Sequence, residues 1–374
     1  MKRRNFFNIF PVLGLTFLNP NIVHAKENNE MKMLFVFLRG GADGLNMVVP
    51  HNDSVYYDLR KKIHIKKENQ LEITTDFAIN SKLKDSFYDS FKKNEAIFIP
   101  TSGQLHNSRS HFLSQKVMHF GVENRENKTG FLNRLLEITN LQGISFTKSK
   151  EIIFNGNVNV PNISLRDISY FLTPEIELEI FNNLNKDKLL LETYKSLLST
   201  KYNLLRLKNN NEPDYNDIVQ FKRVAKYMDM SQSNIGYIEL ESWDTHHEQI
   251  SAFNDLLENL NSCLVAYKEN TKSWNNTLVF IFSEFGRTVK ENGGLGTEHG
   301  HGNLVTILGG GIKKSKILGD WVPLNKLHEN RDLFVLHEYK SILAKLFSEV
   351  YGLNKNQLDY VFPNTSKESF NIII

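Results

Sequence analysis

The chain has 374 residues, of which 40% are hydrophobic and 23% are charged, a composition typical of a globular protein with one large or two small domains. Its formal net charge is only +3, and no basic block is interleaved with aromatic residues, which argues against nucleic acid as a partner. The single cysteine, Cys263, excludes an intrachain disulfide and a zinc site made of cysteines. Any chemistry must therefore use oxygen and nitrogen groups.

The first 25 residues have the features of an export signal. Arg3 and Arg4 precede an Asn-Phe-Phe run, an apolar stretch continues to about residue 18, and Ala25 stands at the cleavage position. The arginine pair resembles a twin-arginine signal, which implies export of the folded chain by the twin-arginine machinery to the periplasm or beyond. A membrane anchor is the alternative, but the stretch is short and contains Pro11 and Pro20. We expect no membrane span in the mature chain.

Five short apolar runs predict the strands of a sheet. They cover residues 33–38, 96–100, 235–240, 277–282 and 304–308, and helical patterns lie between them at 82–92, 110–120, 248–267 and 336–351. This alternation predicts an α/β fold in which helices cover both faces of a mostly parallel sheet. We interpret residues 121–230, rich in Leu, Lys, Asn and Glu, as a helical insertion with a long amphipathic helix over 175–207.

Glycine-rich or polar stretches follow these apolar runs. They read "RGGADG", "TSGQLHNSRSH", "ESWDTHHEQ", "SEFGR" and, after the fifth run, three glycines at 309–311. Ligands of α/β sheets bind where the strands end, so we expect these stretches to converge at one edge of the sheet.

Candidate residues of the first two stretches have both a structural and a chemical interpretation. Asp43, between glycines, is either a turn residue or a ligand. Ser108, Arg109 and Ser110 precede a helical pattern, so a serine there either caps the helix or acts as a nucleophile. Backbone N–H groups at a helix start would stabilise the anionic charge of such a nucleophile.

The later stretches contain groups suited to a metal ion. Asp244 and His246 provide a carboxylate and an imidazole two residues apart, which are ligand types of Zn²⁺, Mn²⁺ and iron. Glu284 is either a ligand or a helix-capping acid, and Arg287 either pairs with Glu284 or binds an anionic oxygen. Two further imidazoles flank a glycine at residues 299–301. Together these residues predict a site at the strand ends.

The motifs "FLRGGADGLNMVVP", "HNSRSHF", "WDTHHEQ" and "SEFGRTVKENGGLGTEHGHGN" resemble the exported bacterial family called domain of unknown function 1501. The resemblance extends from about residue 32 to the C-terminus and is weakest in the helical middle. The family is similar to the alkaline phosphatase superfamily, which includes sulfatases and metal-dependent phosphomutases. The resemblance implies an alkaline-phosphatase-like core over residues 26–374 that holds one or two divalent ions, with zinc, manganese, magnesium and calcium all open.

The resemblance also implies a role for each candidate residue. A first ion would bind Asp244, His246 and either His299 or His301. A second would bind Asp43, Glu284 and Ser108, but the superfamily has an Asp-His pair where this chain has Glu284-Phe285, so that ion is expected to be weak, absent or completed by His106 or His111. The nucleophile would be Ser108, with Ser110 as runner-up, and Arg109 and Arg287 would stabilise negative charge.

These inferences together predict an exported metal-dependent hydrolase of phosphate or sulfate esters, acting on a small anionic ester or a glycan. One alternative is a non-catalytic protein that binds polysaccharide or an envelope partner through a degenerate metal site. Another is a structural role in which a metal ion only holds loops together.

Overall fold

A computed structural model describes residues 31–123, 128–164, 216–231 and 233–373, together with 179–183, 191, 194 and 206–207. The predicted export signal and most of the predicted helix over 175–207 lie outside the described residues. Within these ranges, no helix combines the length and the apolar composition needed to cross a membrane.

The strands, in chain order, are β1 (Lys32–Leu38), β2 (Val48–Val49), β3 (Gln70–Glu72), β4 (Ala78–Asn80), β5 (Ala96–Gly103), β6 (Gly143–Ser145), β7 (Ile235–Leu240), β8 (Thr277–Phe282), β9 (Asn303–Leu308), β10 (Lys316–Ile317) and β11 (His337–Glu338). The α-helices are α1 (Gly44–Met47), α2 (Ser54–Leu59), α3 (Asp89–Lys92), α4 (His111–Phe120), α5 (Phe131–Glu137), α6 (Asp217–Met230), α7 (Gln249–Asn270), α8 (Tyr339–Tyr351) and α9 (Lys355–Val361). Short 3₁₀ or π turns occupy Lys67–Asn69, Ser81–Leu83, Lys84–Tyr88, Ile152–Phe154 and Trp274–Asn276.

The main sheet has the order β10-β5-β9-β8-β1-β7-β6, with β11 also paired to β5, and β2, β4 and β3 form a small separate sheet. All five predicted runs are strands of the main sheet, and the prediction of a mostly parallel sheet is confirmed. β9 is the exception, since it pairs antiparallel with both β5 and β8. Its carboxyl end therefore lies at the opposite edge. There Gly309 packs against Thr277 at the start of β8, so the expectation that glycines 309–311 join the site is wrong.

Helices cover both faces of the sheet, as predicted. Alternate residues of β1 enter two separate cores. Leu34 and Val36 pack in one core with residues of α6 and α7, while Phe35 and Phe37 pack in the other with residues of α4, α5, α8 and α9. β1 is apolar from Met33 to Leu38, where both of its faces are buried. Cys263 lies in the first core, where burial raises the pKa of its thiol, in keeping with a structural residue.

The segment predicted as a helical insertion begins and ends with elements of the α/β body. β6 pairs with β7 at the edge of the main sheet, and α6 packs against α7. Asn216 caps α6 by accepting hydrogen bonds from the amides of Ile218 and Val219. The insertion remains a prediction for the residues between, which lie mostly outside the described chain.

Candidate metal centre

Four side chains meet at the edge where the parallel strands end, and we call His111, Asp244, His246 and His299 the His–Asp cluster. His111 is the first residue of α4, which follows β5, and Asp244 and His246 follow β7. His299 precedes β9, whose antiparallel direction brings its amino end to this same edge. The turn that follows β1 passes close to the backbone of Asp244 at Gly40. A Cβ at Gly40, which has a φ of +128°, would lie 2.6 Å from the Asp244 amide nitrogen, so this close approach requires glycine.

The ring nitrogens of this cluster point at one another. The Nε2 atom of His299 lies 2.9 Å from Nε2 of His111, 3.0 Å from Nε2 of His246 and 3.0 Å from Oδ1 of Asp244. The Asp244 carboxylate lies 2.9 Å from Nε2 of His246 and 3.3 Å from Nε2 of His111. Atoms that share a tetrahedral zinc ion are roughly 3.3 Å apart, since each lies about 2.0–2.1 Å from the metal. Within the described chain, His111, Asp244 and His299 thus form a group that could hold a metal ion, and His246 adjoins this group.

The other nitrogen of each imidazole has a separate acceptor. Nδ1 of His111 lies 2.8 Å from the Glu284 carboxylate, Nδ1 of His246 lies 3.0 Å from Glu298, and Nδ1 of His299 lies 2.7 Å from the Arg109 carbonyl. Carboxylates and carbonyls only accept, so each Nδ1 must carry the proton. In neutral rings the three Nε2 atoms then present lone pairs, and those of His111 and His246 each face Nε2 of His299 and the Asp244 carboxylate. Such a convergence of acceptors needs a cation or an added proton, and the pattern is that of metal-binding histidines.

Glu284 lies behind His111 and not among the converging atoms. It is fully buried and accepts hydrogen bonds from the amides of Gly40 and Gly41 and from the side chain of Gln115. Burial alone would raise the pKa of Glu284, but the hydrogen bonds from His111, Gln115 and Gly40 outweigh it and hold that pKa below its usual value. The carboxylate is therefore charged and orients the His111 ring.

Asp43, predicted as a metal ligand, instead lies in a buried ion pair. Its Oδ2 atom accepts from Nη1 of Arg60 at 2.6 Å and from Nε2 of Gln249 at 2.6 Å. Both charged side chains are almost inaccessible to water. The Arg60 guanidinium also donates to the carbonyls of Thr288 and Val289, so its position is fixed. Asp43 thus has a protein cation as its partner, and its role as a metal ligand stays a prediction.

Of the two late histidines, only His299 joins the cluster. Nε2 of His301 lies 3.0 Å from the Gln104 carbonyl, and its ring lies 4.8 Å from that of His328, measured between centroids. Burial lowers the pKa of His301, which keeps the ring neutral. Gly300, between the two histidines, passes close to the backbone of Arg287. A Cβ at this residue would lie 2.5 Å from the carbonyl carbon of Arg287, so a side chain does not fit there.

Arg287 lies beside the cluster with only 2% of its surface exposed. Its Nη2 atom donates to Oδ1 of Asp244 at 2.8 Å, while Nε and Nη1 have no hydrogen-bond acceptor among the described residues. Burial would raise the pKa of Asp244. The charge of Arg287, the hydrogen bond with His299 and the nearby imidazoles of His246 and His111 outweigh burial and keep that pKa below its usual value. Arg287 pairs with Asp244 and not, as considered from the sequence, with Glu284.

Arg109 contributes to the site through its backbone. Its guanidinium donates to Glu329 at 2.6 Å and to the buried Asp332 at 2.7 Å, while its carbonyl accepts from His299. The guanidinium is therefore held by two carboxylates instead of being free to stabilise a reacting anion.

The two candidate nucleophiles lie just before α4. Ser110 is the N-cap residue and its side chain makes no capping hydrogen bond, whereas Ser108 lies in the preceding turn, where its Oγ accepts from the Ser110 amide at 3.2 Å. Ser108 thus does not open the helix as expected. In the part of the chain that the structure describes, no hydrogen bond joins either hydroxyl to the His–Asp cluster.

The structure adds residues that sequence reasoning did not place. His111 was expected only as a substitute ligand of a second ion, and Glu298 had no assigned role. The signal for His111 was its position at a helix start after a strand-end loop, the same signal that selected its serine neighbours. Glu298 could have been noticed as the neighbour of His299, because carboxylates commonly orient metal-binding imidazoles.

Comparisons with known proteins give a family. No curated protein matches the chain. The solved structure of a protein in the alkaline phosphatase superfamily from Vibrio parahaemolyticus is similar only weakly, with a TM-score of 0.37, 9% sequence identity, and coverage of 86% of this chain and 66% of that one, just under two thirds of its length. A family model described as protein of unknown function (DUF1501) matches residues 101–356, a range that begins after β1 and its "RGGADG" turn. Since this range is more than half of the chain, the chain belongs to the DUF1501 family.

Proposed function

We propose that this protein is a metal-dependent hydrolase of small anionic esters, of phosphate or sulfate, with one divalent ion at the His–Asp cluster. One observation carries the proposal: three Nε2 lone pairs and the Asp244 carboxylate converge while every Nδ1 atom has its own acceptor. The donor set of three imidazoles and one carboxylate favours zinc, or another transition metal, over magnesium or calcium.

A single ion is favoured over two. Asp43 is neutralised by Arg60, and Glu284 is satisfied by backbone amides and by His111. Among the described residues, only His111, Asp244 and His299 of this cluster bring three His, Cys or carboxylate ligand atoms within 4.8 Å of one another. The residues expected to bind a second ion thus have other partners.

A divalent ion held there would supply Lewis-acid stabilisation of the negative charge that grows on an ester as it is hydrolysed. The chain would contribute Arg287, whose Nε and Nη1 groups have no acceptor among the described residues and could pair with an anionic oxygen. Ser110, the N-cap of α4, is better placed as a nucleophile than Ser108, whose Oγ is engaged in the turn. Glu284, Glu298 and the Arg109 carbonyl would keep the three rings in their binding tautomer.

The test combines metal analysis with turnover. Protein purified without chelator should contain about one transition-metal ion per chain, lose it and its activity on aryl phosphate or aryl sulfate after chelation, and regain both with zinc. Asp244→Asn, which keeps an acceptor for Arg287, and His246→Ala should each remove metal and activity. Glu269→Gln, at an exposed position of α7, should change neither. Full activity after complete metal removal would refute the proposal.

Export in folded form is a further part of this proposal, supported by the N-terminal pattern alone. The substitutions Arg3→Lys and Arg4→Lys together should leave the chain unprocessed and in the cytoplasm. Normal processing of the double variant would contradict twin-arginine export.

A binding protein that retains the metal site is the second candidate, because neither serine hydroxyl is bonded to the cluster. A metal-loaded protein that binds glycans but hydrolyses no phosphate, sulfate or phosphonate ester would favour this alternative.

A further inference from the structure

A separate cavity of about 190 Å³ opens at the same edge of the sheet, beside the ends of β1, β6 and β7. This space is large enough for several water molecules, which suits a small polar ligand. Five charged side chains line it, together with Ser, Thr and Gln groups and one phenylalanine. The charged residues are Arg39, Lys148, Glu151, Glu239 and Glu241.

The positive charge of Arg39 is already engaged. Its Nη1 atom lies 3.1 Å from Oε2 of Glu239, and Oε1 of Glu239 accepts from the Tyr237 hydroxyl at 2.6 Å. Among the described lining residues, Glu151 and Glu241 then face a single remaining cation, Lys148, which is exposed. The cavity therefore has more negative than positive charge.

The pKa of Glu151 reflects the same excess of negative charge in the cavity. Glu151 is partly buried, and burial raises the pKa of its carboxyl to about 7, with the charge of Glu239 adding to the effect and Arg39 opposing it. Neighbouring cations therefore do not offset the cost of ionising this group. A positively charged ligand group in the cavity would lower that cost.

The distribution of the carboxylates favours an organic cation over a metal ion. Three His, Cys or carboxylate ligand atoms within 4.8 Å of one another occur in the described chain only at His111, Asp244 and His299, so the three cavity glutamates do not converge on one point. A primary ammonium has three N–H donors and can reach acceptors on different walls of a small cavity.

We propose that this cavity binds the ammonium group of a small amine, an amino alcohol or an amino sugar. The cavity adjoins the candidate metal centre: the Arg39 carbonyl accepts from the amide of Trp243, the residue before Asp244, at 3.2 Å. Glu241 precedes Asp244 by three residues, which limits their Cα separation to about 10 Å. The amine would be the alcohol part of the hydrolysed ester, a step that rests on the proposed function.

The test uses metal-stripped protein and no turnover. Ethanolamine and glucosamine are titrated and followed by calorimetry or NMR, with ethylene glycol and glucose as neutral matches. We expect saturable binding of at least one amine, about tenfold or more tighter than its neutral match, because hydrogen bonds between charged groups are the stronger ones. Ethanolamine alone would identify an amino alcohol as the ligand type, and glucosamine alone an amino sugar.

Glu151→Gln and Glu241→Gln keep the volume and remove one charge each, so each should weaken amine binding by about tenfold. Glu72→Gln, exposed on β3, is the matched control and should bind like the wild type. Equal binding of amine and neutral match, no saturable binding, or unchanged binding by both cavity variants would overturn the proposal. Any of these results would leave the metal centre untouched, and a protein without metal could still bind the amine.

Discussion

Asp43 and Asp244 both follow a parallel strand at the same edge of the sheet, yet they have opposite surroundings. Asp43 is sealed against Arg60 and Gln249, whereas the Asp244 side chain is 42% exposed and faces three imidazoles. Each carboxylate has a buried guanidinium partner, Arg60 for Asp43 and Arg287 for Asp244, but only Asp244 also faces imidazole nitrogens. The difference shows that neighbouring imidazoles, and not position after a strand, separate a structural aspartate from a candidate ligand.

The histidines of α4 repeat this contrast. His119 is buried, and burial lowers its pKa to about 3, while its Nε2 atom lies 3.1 Å from the Tyr237 hydroxyl. His111, two turns earlier, hydrogen-bonds Glu284, which raises its pKa although burial opposes the shift. One ring is kept neutral by the core, and the other is oriented by a carboxylate at the edge.

The largest expected effect on stability comes from breaking the buried ion pair of Asp43 and Arg60. Asp43→Ala leaves Arg60 as an unpaired buried charge and should lower the free energy of unfolding by about 3–5 kcal/mol. His246→Ala, at a partly exposed ring, should change it by less than about 1 kcal/mol in metal-free protein. Urea unfolding in the presence of a chelator measures both. Equal destabilisation by the two substitutions would remove the distinction between the regions.

Metal addition should stabilise only proteins with an intact cluster. At a free zinc concentration of 100 times Kd, the wild type should gain about 2.7 kcal/mol of unfolding free energy. Asp43→Asn should gain a similar amount, since that carboxylate is not a ligand in this assignment, and His246→Ala at the same zinc concentration should gain little. Thermal or urea unfolding with and without zinc provides the measurement. A full gain in His246→Ala would reject that residue as a ligand.

A smaller effect, on metal affinity, should follow from removing a carboxylate that orients one of the cluster imidazoles. Glu298→Ala removes the acceptor of Nδ1 of His246 and should weaken metal affinity by about tenfold. Glu298→Gln keeps an oxygen acceptor and should retain most of the affinity. A competition titration against a chromophoric chelator resolves this difference. Identical affinities of the alanine variant and the wild type would show that Glu298 does not orient the ring.

The smallest expected effect is a pH dependence from His119. Because its folded pKa lies below the unfolded value, the unfolded chain takes up a proton as pH falls below about 6.5 and the folded chain does not. The stability present above pH 6.5 is therefore lost on acidification, by about 1 kcal/mol between pH 6 and pH 5 from this group. His119→Gln, compared with the wild type by urea unfolding at both pH values, should lack this component. A parallel loss in both proteins would contradict it.

Much of the fold follows from apolar runs, because a strand buried on both faces has few polar residues. The runs at 235–240 and 277–282 coincide with β7 and β8, but β5 continues beyond Pro100 to Gly103 through a bulge. The direction of β9 was not predictable, since residue pattern does not distinguish parallel from antiparallel pairing. The partner of Asp43 was not predictable either, because Arg60 lies in no periodic element and only the folded chain brings the two charges together.

The antiparallel direction of β9 has a consequence for the order of synthesis and folding. His111, Asp244 and His299 lie far apart in the chain, and His299 reaches the others only when β9 is inserted between β5 and β8. A nascent chain that ends before residue 299 has three of the four cluster side chains and lacks the ring that contacts all the others. A metal ion at this cluster would therefore enter late, after most of the chain has left the ribosome and the central sheet has closed, so metal binding would mark the completion of folding.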